Sequence, residues 1–123
     1  MLRAGSVLRV LALIGFWSWP SLVVAHSLPE RFVPQRDAML GTAPAEVRIL
    51  FGGEIERAFS TIEVTDSTGH RVDKGNARVD EKNRQLLRVG LGPLSPGVYR
   101  VLWRILAVDG HRNEGTYVFT VKP

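Results

Sequence analysis

The chain contains no cysteine. Disulfides, thiolate metal sites, iron–sulfur clusters and cysteine nucleophiles are therefore excluded. Methionine is almost as scarce: there are two, Met1 and Met39. Histidine occurs three times, at His26, His70 and His111. No basic run is present, because the arginines are spread out with acids among them. A net charge of +4 at pH 7 in that arrangement gives no footprint for a nucleic-acid partner. Nothing after residue 25 carries a long helical period. Histidine, carboxylate, methionine and the chain's own amine remain as metal donors.

What is there begins with a basic, acid-free start. Arg3 and Arg9 lead into the apolar Val10–Trp19, followed by Pro20, Ser21 and Val23-Val24-Ala25. This is the layout of a secretory signal peptide. As a membrane span the stretch is poor. Arg9, Ser18, Pro20 and Ser21 interrupt it, whereas a spanning helix needs ~20 apolar residues. Cleavage after Ala25 divides the chain into a signal peptide, 1–25, and one mature domain, 26–123. His26 then becomes the amino terminus.

The mature segment reads as short strands between turns. A first strand is expected over Leu28–Val33, with Pro29 at an edge. Val47, Ile49 and Phe51 share one face of a second. A strand over Phe59–Thr65 turns Ile62 and Val64 inward, and Asp66-Ser67-Thr68-Gly69 follows as a turn. Weak β character surrounds Ala77-Arg78-Val79. Leu87, Val89 and Leu91 alternate to one side. Val98–Asp109 is the longest candidate, with Tyr99, Val101, Trp103, Ile105 and Ala107 inward and Arg100 and Arg104 outward. Tyr117, Phe119 and Val121 face inward on the last. This pattern predicts an all-β antiparallel sandwich or small barrel.

His70 follows a turn glycine and reads as a solvated loop residue. Asp109 and His111 stand two positions apart, which in an extended backbone puts them on one side. Gly110 between them allows a turn or a close approach. His26, once amino-terminal, offers its amine and Nδ1 to one metal as a chelate, so the second bond is intramolecular. Together, His26, Asp109 and His111 supply three nitrogens and one oxygen. That set suits a tetragonal Cu(II) ion, which the Irving–Williams order also favours over Ni(II) and Zn(II). Met39 alone gives Cu(I) little to hold.

These residues resemble the CopC family of periplasmic copper-binding and copper-resistance proteins. The resemblance is carried by His26-Ser27-Leu28, by Pro34 with Ala38-Met39-Leu40, and by Ala43–Phe51. It continues through Ile62–Gly69 and Leu94–Arg104, then Ala107-Val108-Asp109-Gly110-His111 and Gly115–Phe119. It implies an immunoglobulin-like β-sandwich or Greek-key barrel that binds copper without catalysing a reaction. The family's Cu(II) ligands match His26, Asp109 and His111, with one Cu(II) per mature chain. The methionine-rich Cu(I) site that some members carry has no counterpart here, and neither has an additional histidine near the terminus. The resemblance also implies a periplasmic location and a CopD-like inner-membrane copper transporter as partner.

Two other functions fit parts of the pattern. One is a copper monooxygenase with an amino-terminal histidine brace, opposed by the short loops and by Asp109 beside the metal. The other is a metal-free β-sandwich interaction module, since the fold itself is neutral as to function. The ligand set depends on where the leader is cut. Amino-terminal sequencing of the exported protein should read His-Ser-Leu. A different first residue removes the terminal chelate.

Overall fold

The computed structural model describes residues 28–123 together with 14, 15 and 17. The remainder of the expected leader, and His26, lie outside the described residues. Eight strands follow in chain order: β1 (Pro29–Val33), β2 (Met39–Leu40), β3 (Glu46–Phe51), β4 (Thr61–Thr65), β5 (Arg78–Val79), β6 (Leu86–Gly90), β7 (Gly97–Leu106) and β8 (Arg112–Val121). No helix occurs among the described residues. The strands form two four-stranded sheets, ordered β1-β3-β6-β5 and β2-β8-β7-β4. All pairings are antiparallel except β2 with β8. The all-β sandwich expected from the sequence is the observed fold.

Alternation along each strand explains the core. Val47, Ile49 and Phe51 on β3 and Leu87 and Val89 on β6 are fully buried. Ile62 and Val64 on β4, and Tyr99, Val101, Trp103 and Ile105 on β7, answer them from the second sheet. Arg100 and Arg104 point outward, as parity requires. Tyr99 also donates its hydroxyl to the Ser95 carbonyl, tying the approach loop to the strand. This is the arrangement of a tyrosine corner in immunoglobulin-like sandwiches.

Several expected boundaries move. The strand expected from Phe59 starts at Thr61. Phe59 has a φ of +66°, outside the extended region, and its ring is exposed. The longest strand stops at Leu106 instead of Asp109. The last begins at Arg112, well ahead of the inward-facing Tyr117, Phe119 and Val121 that mark it in the sequence. The polarity of Arg112 and Asn113 hid that start: hydrogen bonding across the hairpin extends the strand beyond its apolar residues.

The β7–β8 hairpin is the longest pairing, with ten registered residue pairs from Gly97↔Val121 to Leu106↔Arg112. Side chains opposite one another fit by size. Tyr99 stacks on Phe119 with centroids 5.5 Å apart. Trp103 lies opposite Gly115, and a Cβ added to Gly115 would stand 2.3 Å from the indole. The indole occupies space that only glycine leaves open. Phe32 from the first sheet packs on Trp103 and Tyr117 at 5.3 Å and 4.6 Å. The indole Nε1–H donates to Asn113 Oδ1 at 2.8 Å. Gly115→Ala should therefore destabilise the fold by about 1–3 kcal/mol through overpacking. Urea unfolding followed by tryptophan fluorescence measures this, and a neutral result would show that the indole has room to move.

Candidate metal centre

The hairpin register sets the position of the residues between its strands. Ala107–His111 join Leu106 to its cross-strand partner Arg112. Ala107 N–H donates to His111 O at 2.8 Å and Gly110 N–H to Ala107 O at 2.9 Å. Gly110 closes the turn at φ +90°, a conformation open to glycine without a Cβ clash. Asp109 Oδ1 accepts the backbone N–H of His111 at 3.0 Å. The same oxygen lies 3.0 Å from His111 Nδ1. The two side chains are 37% and 57% exposed, so the pair is anchored by the turn yet open to an incoming ion. A carboxylate and an imidazole this close can share a proton or a cation.

The structure thus brings Asp109 and His111 together, but not by strand parity. Val108 and Asp109 lie in the turn, and an Asx-type hydrogen bond folds the aspartate back over the histidine. His70 is separate. It sits beyond β4, with its backbone N–H on Asp66 Oδ1 at 3.0 Å and its Nδ1 2.8 Å from Thr68 Oγ1. Thr65 faces Arg100 and Thr61 faces Arg104, so the His70 turn is at the far end of β7. Six residues of strand, roughly 20 Å, separate the two ends.

A second segment shapes the end of the sandwich that carries this turn. Gly52 N–H donates to Leu28 O at 3.0 Å, just before β1 begins. Gln85 Nε2 donates to Gly52 O at 3.2 Å. A few residues later, Val108 N–H donates to Glu54 O at 3.1 Å and Glu56 N–H to Leu106 O at 2.7 Å. Ile55 bridges Ala107 between them. The Gly52–Glu56 crossing therefore links the approach to β1 with the Asp109–His111 turn. Gly53, Glu54, Ala107, Val108 and Asp109 line a shallow recess there. In the sequence, Gly52-Gly53 marks only a break after the apolar residues of β3. The glycine pair was the available signal, but its destination is a tertiary fact.

Among the described residues, no group of three or more histidines and carboxylates is placed to hold a metal ion. Asp109 and His111 are two donors, and His26 is outside the described residues. A test of the turn uses Gly110→Ala. The new Cβ meets nothing within 4 Å, so its effect acts through the backbone alone. A loss of about 1–2 kcal/mol is expected, with NMR amide shifts concentrated at 107–113 and 54–56. Unchanged shifts at Asp109 and His111 would show that the turn does not depend on glycine.

Comparison with known proteins gives a consistent picture. The family model described as the CopC domain matches residues 30–122. Copper transport protein CutJ of Bacillus subtilis is 32% identical over 103 residues, covering 83% of this chain but 19% of CutJ. Protein YobA of Escherichia coli K12 is 32% identical over 101 residues, covering 81% of this chain and 82% of YobA. The chain therefore spans about a fifth of the first relative and about four fifths of the second. Among solved structures, CopC from Methylosinus trichosporium OB3b superposes with a TM-score of 0.74 at 37% identity, covering 80% of this chain and 95% of that one. PcoC of Escherichia coli, named as a methionine-rich copper resistance protein, gives 0.66 at 30% identity, covering 80% and 100%.

Proposed function

This chain belongs to the CopC family, and from that premise we propose that it is a periplasmic copper carrier. Residues 1–25 direct export and are removed, leaving the domain 26–123. That domain holds one Cu(II) through the His26 amine and Nδ1, a ring nitrogen of His111 and a carboxylate oxygen of Asp109. The names of CutJ and PcoC, a copper transport and a copper resistance protein, support copper as the cargo.

The single observation that carries the reading is the shared end of the sandwich. Leu28 is bonded to Gly52, and two residues on, Glu54 is bonded to Val108 beside Asp109. His26 stands two residues before Leu28, a reach of up to ~7 Å. β1 thus begins at the end of the sandwich that carries the Asp109–His111 pair, which supports His26 as a ligand. Asp109 contributes charge as well as an oxygen, offsetting part of the divalent ion's charge. The donor set favours Cu(II) over Cu(I), and Met39, the one mature thioether, lies exposed on β2.

The role is custody of an ion rather than a reaction. The recess beside the turn is shallow, and Asp109, as a ligand, would take a coordination position that oxygen or a substrate would need. An inner-membrane copper transporter of the CopD type is the receiver that this reading implies.

Titration of protein beginning at His26 should reach one Cu(II) per chain, with an EPR spectrum of three nitrogens and one oxygen. Affinity should fall below neutrality as protons compete for the amine and imidazoles. His111→Ala and Asp109→Ala should weaken binding, and His70→Ala should leave the spectrum unchanged. Adding one alanine before His26 keeps every side chain but breaks the terminal chelate. Affinity should then drop on the order of 100-fold. Equal affinity with an unchanged spectrum would overturn the amino-terminal mechanism.

A further inference from the structure

The outward face of the first sheet carries an arginine row created by strand register. Arg48 on β3 lies directly opposite Arg88 on β6, and Arg88 directly opposite Arg78 on β5. Neighbouring strands are ~4.8 Å apart, so three arginines line up across three strands. Like charges directly opposite one another destabilise a sheet. The second sheet avoids this: Arg104 faces Glu114 across the hairpin, with Nε 3.3 Å from the carboxylate.

Carboxylates answer only part of the row. Glu46 pairs with Arg48 and, at 2.7 Å, with Arg88. Asp80 pairs with Arg88 at 2.9 Å. Both carboxylates are engaged at the centre of the row. Among the described residues, Arg78 donates only to the Asn76 carbonyl, at 3.4 Å. Arg31, on β1 opposite Leu50, adds a further guanidinium with no ion pair among the described residues. Between the arginines, Val33, Leu50 and Leu86 present partly exposed apolar surface.

We propose that this face docks the domain on an anionic lipid bilayer, with Arg31, Arg48 and Arg78 meeting phosphate headgroups. The arginines are spread over all four strands of the sheet, which suits a planar partner. The interleaved aliphatic side chains suit the boundary between headgroups and acyl chains. Arginine matches phosphate through paired N–H donors. The Asp109–His111 turn is on the other sheet, beyond β7, so docking leaves it in solvent. No residue of the proposed ligand set takes part, and the proposal stands apart from the copper reading.

The test is co-sedimentation of protein beginning at His26, which retains every strand and core residue described above. The probes are vesicles of equal phosphatidylglycerol and phosphatidylcholine, vesicles of phosphatidylcholine alone, and polyglutamate. Binding is expected to the anionic vesicles only, weakening with added salt. The double variant Arg31→Gln/Arg78→Gln removes two side chains that form no ion pair among the described residues, so the Glu46–Arg88–Asp80 cluster stays intact. It should bind at least ~10-fold more weakly, given the contribution of each basic residue near a charged surface. Arg100→Gln/Arg104→Gln, on the opposite sheet, should bind like the parent. Equal binding to both vesicle types, an unchanged Arg31→Gln/Arg78→Gln variant, or equal losses from the two faces would overturn the proposal. So would polyglutamate binding as tight as that to vesicles, which would assign the face to an acidic polypeptide.

Discussion

Trp103 can occupy the core only because Gly115 lies opposite it. A side chain there would collide with the indole, so the ring and the missing Cβ specify one pairing of β7 with β8. A slip of one residue would oppose Trp103 to Glu114 or Thr116 and reverse the inward and outward faces of one strand relative to the other. Phe32 and Tyr117 then pack around the indole, drawing the first sheet onto the second. Much of the sandwich is keyed to this pairing.

The same register has a consequence at the solvent end. With Leu106 held opposite Arg112, the five residues between them must turn back at once. Asp109 and His111 come into contact because Asp109 caps that turn and Gly110 permits it. Trp103 supports the arrangement from below through Asn113, two residues beyond His111. A buried aromatic thus helps place an exposed polar pair. The ion-binding reading gains from this, because donors fixed before the ion arrives lose less conformational freedom on binding it.

The two sheet faces that meet solvent are not alike. Opposite charges face each other where Arg104 meets Glu114, which is ordinary surface stabilisation of modest size. Arginine meets arginine on the other face, and Glu46 and Asp80 must serve as a shared counter-charge. Burial alone would raise the Glu46 carboxyl, but Arg88 and Arg48 hold it below the usual range, so it remains charged at neutral pH. An end that offers donors and a face that offers positive charge give one small domain two separate chemical surfaces.

By itself, the sequence determined the core and the class of fold. Val47, Ile49 and Phe51, or Tyr99, Val101, Trp103 and Ile105, declare their face because β-strand side chains alternate and burial rewards only one register. It also singled out Asp109 and His111, since an acid and an imidazole around a glycine stand out in an apolar context. The CopC resemblance was legible for the same reason: its motifs are local. Only the tertiary structure decided that Asp109 and His111 belong to a turn, that Phe59 lies outside its strand, and that Gly52–Glu56 joins the start of β1 to the β7–β8 turn. It alone aligned Arg48 on β3 with Arg88 on β6 and Arg78 on β5. Such outcomes depend on which strands become neighbours and in what register, and no local pattern of residues encodes that pairing.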